Sequence, residues 1–236
     1  MKMKYKILGL TLARGASKGI RKKNIKKLLG KPLIAYTIEE ALKSKYLSEY
    51  IVSTDDNEIA KISKKYGAKV PFLRPSKLAQ DNSSSVSAMQ HAVNFMEKQN
   101  KCEYDFVIEL MCTNPLKTVF DIDKCINKLI KTKADSVIAV HQLEDHHPAR
   151  IKKIVNDKII DFSIKEKPES RRQDLRPKAY IRSGSIYALK RNYLMKKSKR
   201  YGSKNSRPYI LRSEKTVNID SLSDFILAEY IMKNAK

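Results

Sequence analysis

The chain alternates between short apolar runs and amphipathic segments, and this alternation constrains its fold more than any other feature. Lys6–Ala13 has the character of a buried strand, and Lys31–Ser44 follows it with apolar residues on one helical face. The alternation continues with the predicted strands Tyr50–Thr54, Tyr104–Cys112 and Asp135–Leu143 and the predicted helices Asp56–Tyr66, Ser83–Lys98 and Val119–Lys131. Such an order predicts a mostly parallel sheet with helices on both faces, a three-layer α/β/α architecture.

The pattern changes after Val140. We predict a β-hairpin over residues 150–162 with its turn at Asn156-Asp157, then a polar loop and a strand over residues 179–189. The chain closes in a predicted helix, Ser221–Asn234, whose apolar side we assign to Leu222, Phe225, Ile226, Ile231 and either Ala228 or Tyr230. Residues 1–236 are interpreted as one domain, with 145–176 as an inserted arm that could reach a second subunit.

Three loops follow predicted strands, at residues 14–24, 54–56 and 113–117. The carboxyl ends of parallel strands meet at one edge of a sheet, where ligands of open α/β sheets bind. We therefore expect these three loops to share one rim and to form the functional site.

The first of these loops combines two glycines, Gly15 and Gly19, with the cations Arg14, Lys18 and Lys23. Glycines allow a turn whose backbone N–H groups converge on an anion, and arginine can grip two phosphate oxygens at once. The spacing fits neither the P-loop nor the dinucleotide-binding fingerprint. On spacing alone, a phosphate-binding turn and an ordinary basic loop are both open.

Lysine and arginine number 49 against 25 acidic residues, so the formal net charge is +24. A charge of this size favours an anionic partner such as nucleic acid, a membrane or a charged small molecule. Most of the excess is lysine placed singly or in pairs along predicted helices, as at Lys61, Lys64 and Lys65, which is typical of a solvated face. Because no RRM, KH or helix-turn-helix signature accompanies the charge, we predict no specific nucleic-acid partner.

The cysteines Cys102, Cys112 and Cys125 are odd in number and lack CxxC spacing, which points to a reducing compartment. The apolar run Ile7–Ala13 is too short to span a membrane, and it passes directly into basic residues without a cleavage site of the A-x-A type. We predict a cytoplasmic protein with no membrane partner.

An ordered set of segments resembles the cytidylyltransferases that activate acidic keto-sugars, in particular the N-acylneuraminate synthetases, including those for legionaminic-type sugars. The segments are LARGASKGIRKKNIKKLLGKPLIAYTI, IVSTDDNEIAKISKKYGAKVPFLRP, LAQDNSSSV, NPLKT, RRQDL, SGSIYA and VNIDSLSDF. They span nearly the whole chain. The resemblance implies a Rossmann-like nucleotidyltransferase sheet, CTP and an acidic keto-sugar as substrates, Mg²⁺ as cofactor, and a homodimer in which the arm crosses over.

Carried over residue by residue, the resemblance implies that one set of residues binds the nucleotide. The set is Leu12, Ala13, Arg14, Gly15, Ser17, Lys18, Lys23, Asn24, Arg74 and Ser85. Arg14 and Lys18 would contact the triphosphate, Lys23 and Asn24 the α-phosphate and ribose. Backbone groups near Leu12 and Ala13 would face the cytosine edge. Gly is usual where Ala16 stands, and Ser85 also suits a helix N-cap.

The same resemblance implies that Asp220 is a metal ligand and, with Arg14, Lys18 and Lys23, part of the catalytic set. A carboxylate is the hard oxygen ligand that Mg²⁺ prefers. The family commonly has Asp two residues earlier, where this chain has Asn218. An alternative role for Asp220 is to cap the final helix.

On the sugar side the resemblance implies contacts from Arg172, Ser183, Met111 and Asn114, with the guanidinium of Arg172 suited to the sugar carboxylate. Several of these positions depart from the family: Met111 stands where a Gln contacts sugar, Cys112, Asn114 and Lys117 also differ, and Ser183 replaces an Asn. The departures cluster where the sugar would be recognised, whereas the nucleotide side keeps its pattern.

Three histidines, His141, His146 and His147, lie near the hairpin without a pattern that completes a zinc site, so we predict no metal there. His146 or His147 could instead contact sugar hydroxyls or an acyl group.

The expected reaction is Mg²⁺-dependent transfer of CMP from CTP to the anomeric hydroxyl of a nonulosonic acid, with release of pyrophosphate. Two alternatives stay open from the sequence: a related transferase that uses another sugar, such as an octulosonate, or another nucleotide, and a basic nucleic-acid-binding protein.

Overall fold

A computed structural model describes residues 5–17, 19–143 and 146–234, and a six-stranded sheet organises them. The strands are β1 (Ile7–Leu12), β2 (Lys27–Leu28), β3 (Lys31–Pro32), β4 (Glu49–Ser53), β5 (Phe106–Leu110), β6 (Ser136–Gln142), β7 (Lys152–Val155), β8 (Lys158–Asp161), β9 (Tyr180–Lys190) and β10 (Ser206–Ile210). The α-helices are α1 (Leu33–Leu42), α2 (Asn57–Lys65), α3 (Ser85–Asn100), α4 (Val119–Thr132), α5 (Arg191–Lys197) and α6 (Leu222–Asn234).

The sheet has the strand order β10-β6-β9-β5-β1-β4. β1 pairs in parallel with β4 and β5, and β10 pairs in parallel with β6. β9 runs antiparallel between β5 and β6. The mostly parallel sheet is therefore confirmed, with one reversed strand in its centre.

Helices pack on both faces of this sheet, so the three-layer architecture is confirmed. Apolar residues of α1, α2 and α4 form one core cluster with alternate residues of the strands, and α3 and α5 form another on the opposite face. A third cluster joins α6 to the start of α1, through Phe225 and Leu33. No helix among the described residues is long and apolar enough to cross a membrane.

Local capping explains where several helices begin. The Asp56 side chain accepts a hydrogen bond from the Ile59 N–H at 2.9 Å, and Thr118 with Asp121 forms a capping box at α4. At α3 the cap is Ser84, which accepts from Ser87 N–H at 3.0 Å. The predicted cap role of Ser85 is therefore wrong, because Ser85 is already the first residue of the helix.

The second half of the chain holds the differences from prediction. The hairpin β7–β8 is confirmed, with Asn156 and Asp157 at positive φ in its turn. α5 and β10 had no counterpart in the sequence reading. The apolar side assigned to α6 is partly wrong: Phe225 and Ala228 are buried, whereas Leu222, Ile226 and Tyr230 are each at least 59% exposed.

Candidate active site

A cleft of about 530 Å³ opens at the rim where β1 and β5 end. The loop after β1 forms one wall, and residues 78–88, leading into α3, form another. The end of β5 contributes Glu109, Met111, Cys112 and Thr113. Strand ends therefore provide the floor, as the order of strands and helices predicts for a ligand site.

Side-chain hydrogen bonds tie the first rim loop to the second and to Cys112, which directly precedes the third. The Asp55 carboxylate accepts from the Gly15 N–H at 3.1 Å, and the Asn24 amide donates to the Arg14 carbonyl at 2.9 Å. The Cys112 thiol donates to Asn24 Oδ1 at 3.1 Å. The prediction that these loops share one rim is confirmed, and the loop after β1 is braced on both sides.

Lys23 fastens the same loop to the segment before α6. Its Nζ donates to the Asp220 carboxylate at 2.8 Å and to the Ile219 carbonyl at 2.7 Å. Gly19 passes so close to Asp220 that an added Cβ would collide with the Asp220 carbonyl oxygen. Only glycine permits this approach, so Gly19 helps to place Lys23 beside the cleft.

The alternative role of Asp220, capping the final helix, is taken by its neighbours. The Asp224 carboxylate accepts from the N–H groups of Asp220 and Ser221 at 3.0 and 2.8 Å, and the Ser221 hydroxyl accepts from the Asp224 N–H at 3.3 Å. The Asp220 side chain instead faces Lys23 and the cleft.

Two arginines line the cleft in different ways. Arg14 is partly exposed and pairs with Asp81 at 2.9 Å. Arg74 is only 5% exposed, and its Nη2 lies 3.3 Å from Asp55 Oδ1. Burial lowers the pKa of Arg74, and Asp55 opposes this effect. Arg74 Nε has no hydrogen-bond partner within the described part of the chain, so it can still donate to a ligand.

A charged pair lies under the β5 end of the cleft. Glu109 is 2% exposed and contacts Arg200 Nη1 at 2.6 Å. Burial raises the pKa of the Glu109 carboxyl, and the Arg200 guanidinium opposes the rise. Nearby, the buried Thr113 hydroxyl lacks a hydrogen-bond partner among the described residues. The Glu109 carboxylate can accept a hydrogen bond from a molecule in the cleft, and the Thr113 hydroxyl can donate or accept one.

The structure brings most of the predicted residues together. Those that line the cleft are Leu12, Arg14, Ser17, Lys23, Asn24, Arg74, Ser85, Met111 and Asp220. Lys18 lies outside the described residues. Gly15 and Ala13 support the loop from behind, since the N–H of Ala13 donates to the Ser53 carbonyl at 3.0 Å and is not available to the cytosine edge.

The remaining predicted sugar contacts do not line the cleft. Asn114 is fully buried, and its Oδ1 accepts from the Leu116 N–H at 3.2 Å. Ser183 is also buried and donates to the Ala139 carbonyl at 3.0 Å. Arg172 is exposed on the short 3₁₀ turn Arg172–Asp174, away from the cleft lining. Lys117, another departure from the family, is buried beneath the rim.

The described residues contain no group of three or more His, Cys, Asp or Glu side chains that could hold a metal. His147 is buried and bonds the Pro177 carbonyl at 2.8 Å, which is a structural contact. Beside the cleft, Asp220 Oδ2 accepts from the Asn218 amide at 2.6 Å, and the buried Asn218 Oδ1 lacks a partner in the described ranges. One carboxylate, that of Asp220, is thus available there, because Asn218 Oδ1 packs against Gly184 instead.

Sequence reasoning missed several residues of the cleft. Asp81 lies in the segment LAQDNSSSV, and we assigned it no role from the sequence. In the structure its carboxylate pairs with Arg14. Glu109 could have been found from its charge, because it lies within the apolar part of a predicted strand, between Ile108 and Leu110. Thr113 follows that strand and offered no distinct signal.

Comparison with known proteins agrees with this geometry. A family model described as cytidylyltransferase matches residues 8–224. The chain is 35% identical over 228 residues to the pseudaminic acid cytidylyltransferase of Campylobacter jejuni, which covers 94% of each chain. It is 32% identical to the CMP-N,N'-diacetyllegionaminic acid synthase of the same species, over 96% of this chain and 94% of the relative.

Solved structures share the fold at low sequence identity. The CMP:2-keto-3-deoxy-manno-octonic acid synthetase complexed with CTP superposes with a TM-score of 0.73 at 18% identity, covering 98% of this chain and 100% of the other. The 4-diphosphocytidyl-2C-methyl-D-erythritol synthase of Anaerococcus prevotii gives a TM-score of 0.66 at 13% identity, covering 98% and 97%. At these identities the likeness concerns the fold alone.

Proposed function

The chain belongs to the cytidylyltransferase family, and from that premise we propose that it transfers CMP from CTP to the anomeric hydroxyl of an acidic nonulosonic sugar. The relatives named for pseudaminic, legionaminic and acylneuraminic acids support this class of acceptor. The other product is pyrophosphate.

The observation that carries the proposal is the arrangement of cations around the cleft. Arg14 and Lys23 project from one braced loop, and Arg74 faces the same space with a free Nε–H. Phosphate oxygens bind guanidinium groups through charge-assisted hydrogen bonds. In phosphoryl-type transfers, positioning and neutralising the phosphates supply most of the catalysis.

The residues beside the cleft fit a Mg²⁺ ion. Mg²⁺ in nucleotide sites commonly takes one or two carboxylates, substrate phosphates and water. Asp220 would supply the carboxylate, and the Asn218 amide N–H, which donates to it at 2.6 Å, helps to orient it. When bound, Mg²⁺ would neutralise phosphate charge and lower the pKa of the attacking hydroxyl.

The protein's own groups act by orientation. The Asn24 bridge between the Arg14 carbonyl and the Cys112 thiol holds the phosphate-binding loop in one shape. Lys23 stays beside Asp220 through two hydrogen bonds and so faces the α-phosphate region. The acceptor hydroxyl attacks the α-phosphorus, and pyrophosphate departs on the opposite side, where Arg14 stabilises the developing charge.

Pyrophosphate release tests the proposal. CTP is incubated with Mg²⁺ and, in turn, pseudaminic acid, N,N'-diacetyllegionaminic acid, N-acetylneuraminate and 2-keto-3-deoxy-manno-octonic acid. We expect turnover with at least one nine-carbon sugar, and CTP to be preferred when ATP, GTP and UTP are compared. Turnover with the eight-carbon sugar alone would favour the octulosonate alternative, and no turnover with any sugar would reject the proposal.

We also propose a homodimer formed through the β7–β8 hairpin. Ile154 and Ile159 are 76% and 75% exposed and stand directly opposite each other in the hairpin. Phe162, just beyond it, is 60% exposed. A two-stranded hairpin with such an apolar face is marginal in water, and a second copy would bury it.

Sedimentation analysis tests the dimer. The wild type should sediment as a dimer at micromolar concentration, and the double variant Ile154→Glu/Ile159→Glu as a folded monomer. Lys61→Glu, on an exposed face of α2, is the control and should remain dimeric. A monomeric wild type would contradict the idea.

We place the reaction in the cytoplasm, since the three cysteines are free thiols, two of them buried.

A further inference from the structure

The cleft has two ends, which the strand order separates. The nucleotide side lies over β1 and β4, because Arg14 and Lys23 follow β1 and the Arg74 N–H donates to the Thr54 carbonyl just after β4. Glu109 belongs to β5 and Met111 follows it directly, on the side toward β9. If CTP occupies the first end, the acceptor sugar must approach over β5 and β9.

Glu109 lies at this second end with its side chain on the cleft face. Glu109 lies one residue before the end of β5 and Met111 lies just beyond that end, and both side chains line the cleft. In the β5–β9 ladder, Glu109 stands opposite Tyr187. The Arg200 guanidinium bonds Glu109 at 2.6 Å and lies 4.6 Å from the centre of the Tyr187 ring.

Folding stability alone does not explain why an ion pair is buried at this position. Glu109 projects among the apolar residues that β5 and α3 bury, and a buried ion pair is seldom more stable than well-packed apolar side chains. The Arg200 hydrogen bond uses Oε2, and Oε1 accepts no hydrogen bond within the described part of the chain. A buried acceptor that faces a cleft with spare capacity is suited to a ligand.

We propose that the Glu109–Arg200 pair is a specificity-determining element for the acceptor sugar, in which Glu109 accepts a hydrogen bond from a hydroxyl or amido N–H donor of the sugar. This inference rests on the proposed function. Arg200 neutralises the carboxylate, so the cleft keeps a strong acceptor without repelling an anionic substrate. The Tyr187 ring holds the guanidinium in place through a cation–π contact.

The decisive variant is Glu109→Gln, which keeps the shape and replaces one acceptor oxygen by an NH₂ donor. Steady-state kinetics are measured for CTP and for each of the four sugars named above. We expect kcat/KM for the preferred sugar to fall roughly 10- to 100-fold, as for loss of a hydrogen bond to a charged group. The KM for CTP should change less than about twofold, because that end of the cleft is untouched, and the order of preference among the sugars should change.

Two further variants separate recognition of the sugar by Glu109 from a purely structural role of the Glu109–Arg200 pair. Glu109→Leu combined with Arg200→Met removes both charges in an apolar site, so it should fold and lose the same sugar preference. Glu97→Gln is the control: Glu97 also bonds an arginine, Arg191 at 2.8 Å, but it lies outside the cleft and its side chain is 12% exposed against 3% for Glu109. It should leave the sugar preference unchanged.

The outcomes are distinct. If the wild type turns over and Glu109→Gln keeps the same relative rates among the four sugars, the role of Glu109 in sugar recognition is overturned, but the proposed function is not. A rise in the KM for CTP with unchanged sugar preference would assign Glu109 to the nucleotide and likewise overturn it. Absence of wild-type turnover with every sugar would overturn the proposed function and this inference with it.

Discussion

The buried side chain of Lys117 allows a test of what stabilises the turn after β5 at the rim of the cleft. Its side chain is 1% exposed, and Nζ donates to Thr37 Oγ1 and to the carbonyls of Met111 and Asn114 at 2.5–2.7 Å. All three acceptors are neutral, and no carboxylate within the described residues pairs with the ammonium. The ammonium therefore secures the turn after β5 at the cost of burying a charge. The variant Lys117→Met removes that charge and keeps a similar length.

The magnitude follows from the pKa. Burial lowers the pKa of Lys117 from 10.5 to about 7, and attraction to Cys112, Glu40 and Asp121 opposes this only in part. Between these two pH values the unfolded chain binds a proton that the folded chain has lost, so stability must rise with pH. From pH 7 to pH 9 the free energy of unfolding of the wild type should rise by roughly 2 kcal/mol relative to Lys117→Met.

Urea denaturation at pH 7, 8 and 9 measures this difference. Lys131→Met is the control: Lys131 is exposed on α4 and loses little hydration on folding, so its difference from the wild type should be flat with pH. If the difference in the free energy of unfolding between the wild type and Lys117→Met also does not change with pH, the reasoning is refuted. That result would mean that three neutral oxygens compensate fully for the lost hydration and that Lys117 stays charged throughout.

Three further predictions concern the cleft and its supports. Gly19→Ala should raise the KM for CTP about tenfold or more, since the new Cβ displaces the loop from Asp220; unchanged CTP kinetics would contradict this contact. Arg74→Met should raise the KM for CTP roughly 10- to 100-fold in the same assay, as expected for lost hydrogen bonds to phosphate, and should leave the KM for the sugar unaltered. Asp56→Ala should lower the free energy of unfolding by about 1 kcal/mol through loss of the α2 cap, and chemical denaturation that shows no loss would disprove the cap's contribution.

Local pattern was enough to predict the sheet and the shared rim. Buried strands such as β1 and β5 are mostly apolar runs, and the amphipathic helices between them force parallel crossovers. The loop after β1 could be located for the same reason, because strand ends determine where ligand loops meet. The Asn156-Asp157 turn was predictable because both residues tolerate positive φ.

Contacts between residues far apart in the sequence could not be predicted from the local sequence pattern. Lys117 resembles any surface lysine in the sequence, and only the fold encloses it between α1 and the end of β5. Glu109 and Arg200 are 91 positions apart, so no spacing rule could join them. Likewise, the exposed Leu222 and Ile226 of α6 look like core residues in the sequence, because periodicity does not tell which part of an apolar stripe finds a partner.

The net charge of +24 gives a misleading picture of how the cleft attracts its ligand. Each cation that the structure describes there has an acidic partner: Arg14 with Asp81, Lys23 with Asp220, and Arg74 with Asp55. Such pairs hold the cations in place before a ligand arrives, so little reorganisation is needed at the moment of reaction. A triphosphate must compete with these carboxylates, and it succeeds only if its oxygens reach several cations together. A flexible polyanion such as RNA meets the exposed surface lysines first and does not need the geometry of the cleft. Selectivity for a nucleotide therefore comes from cations that acidic partners hold around the cleft, and the surplus charge lies elsewhere.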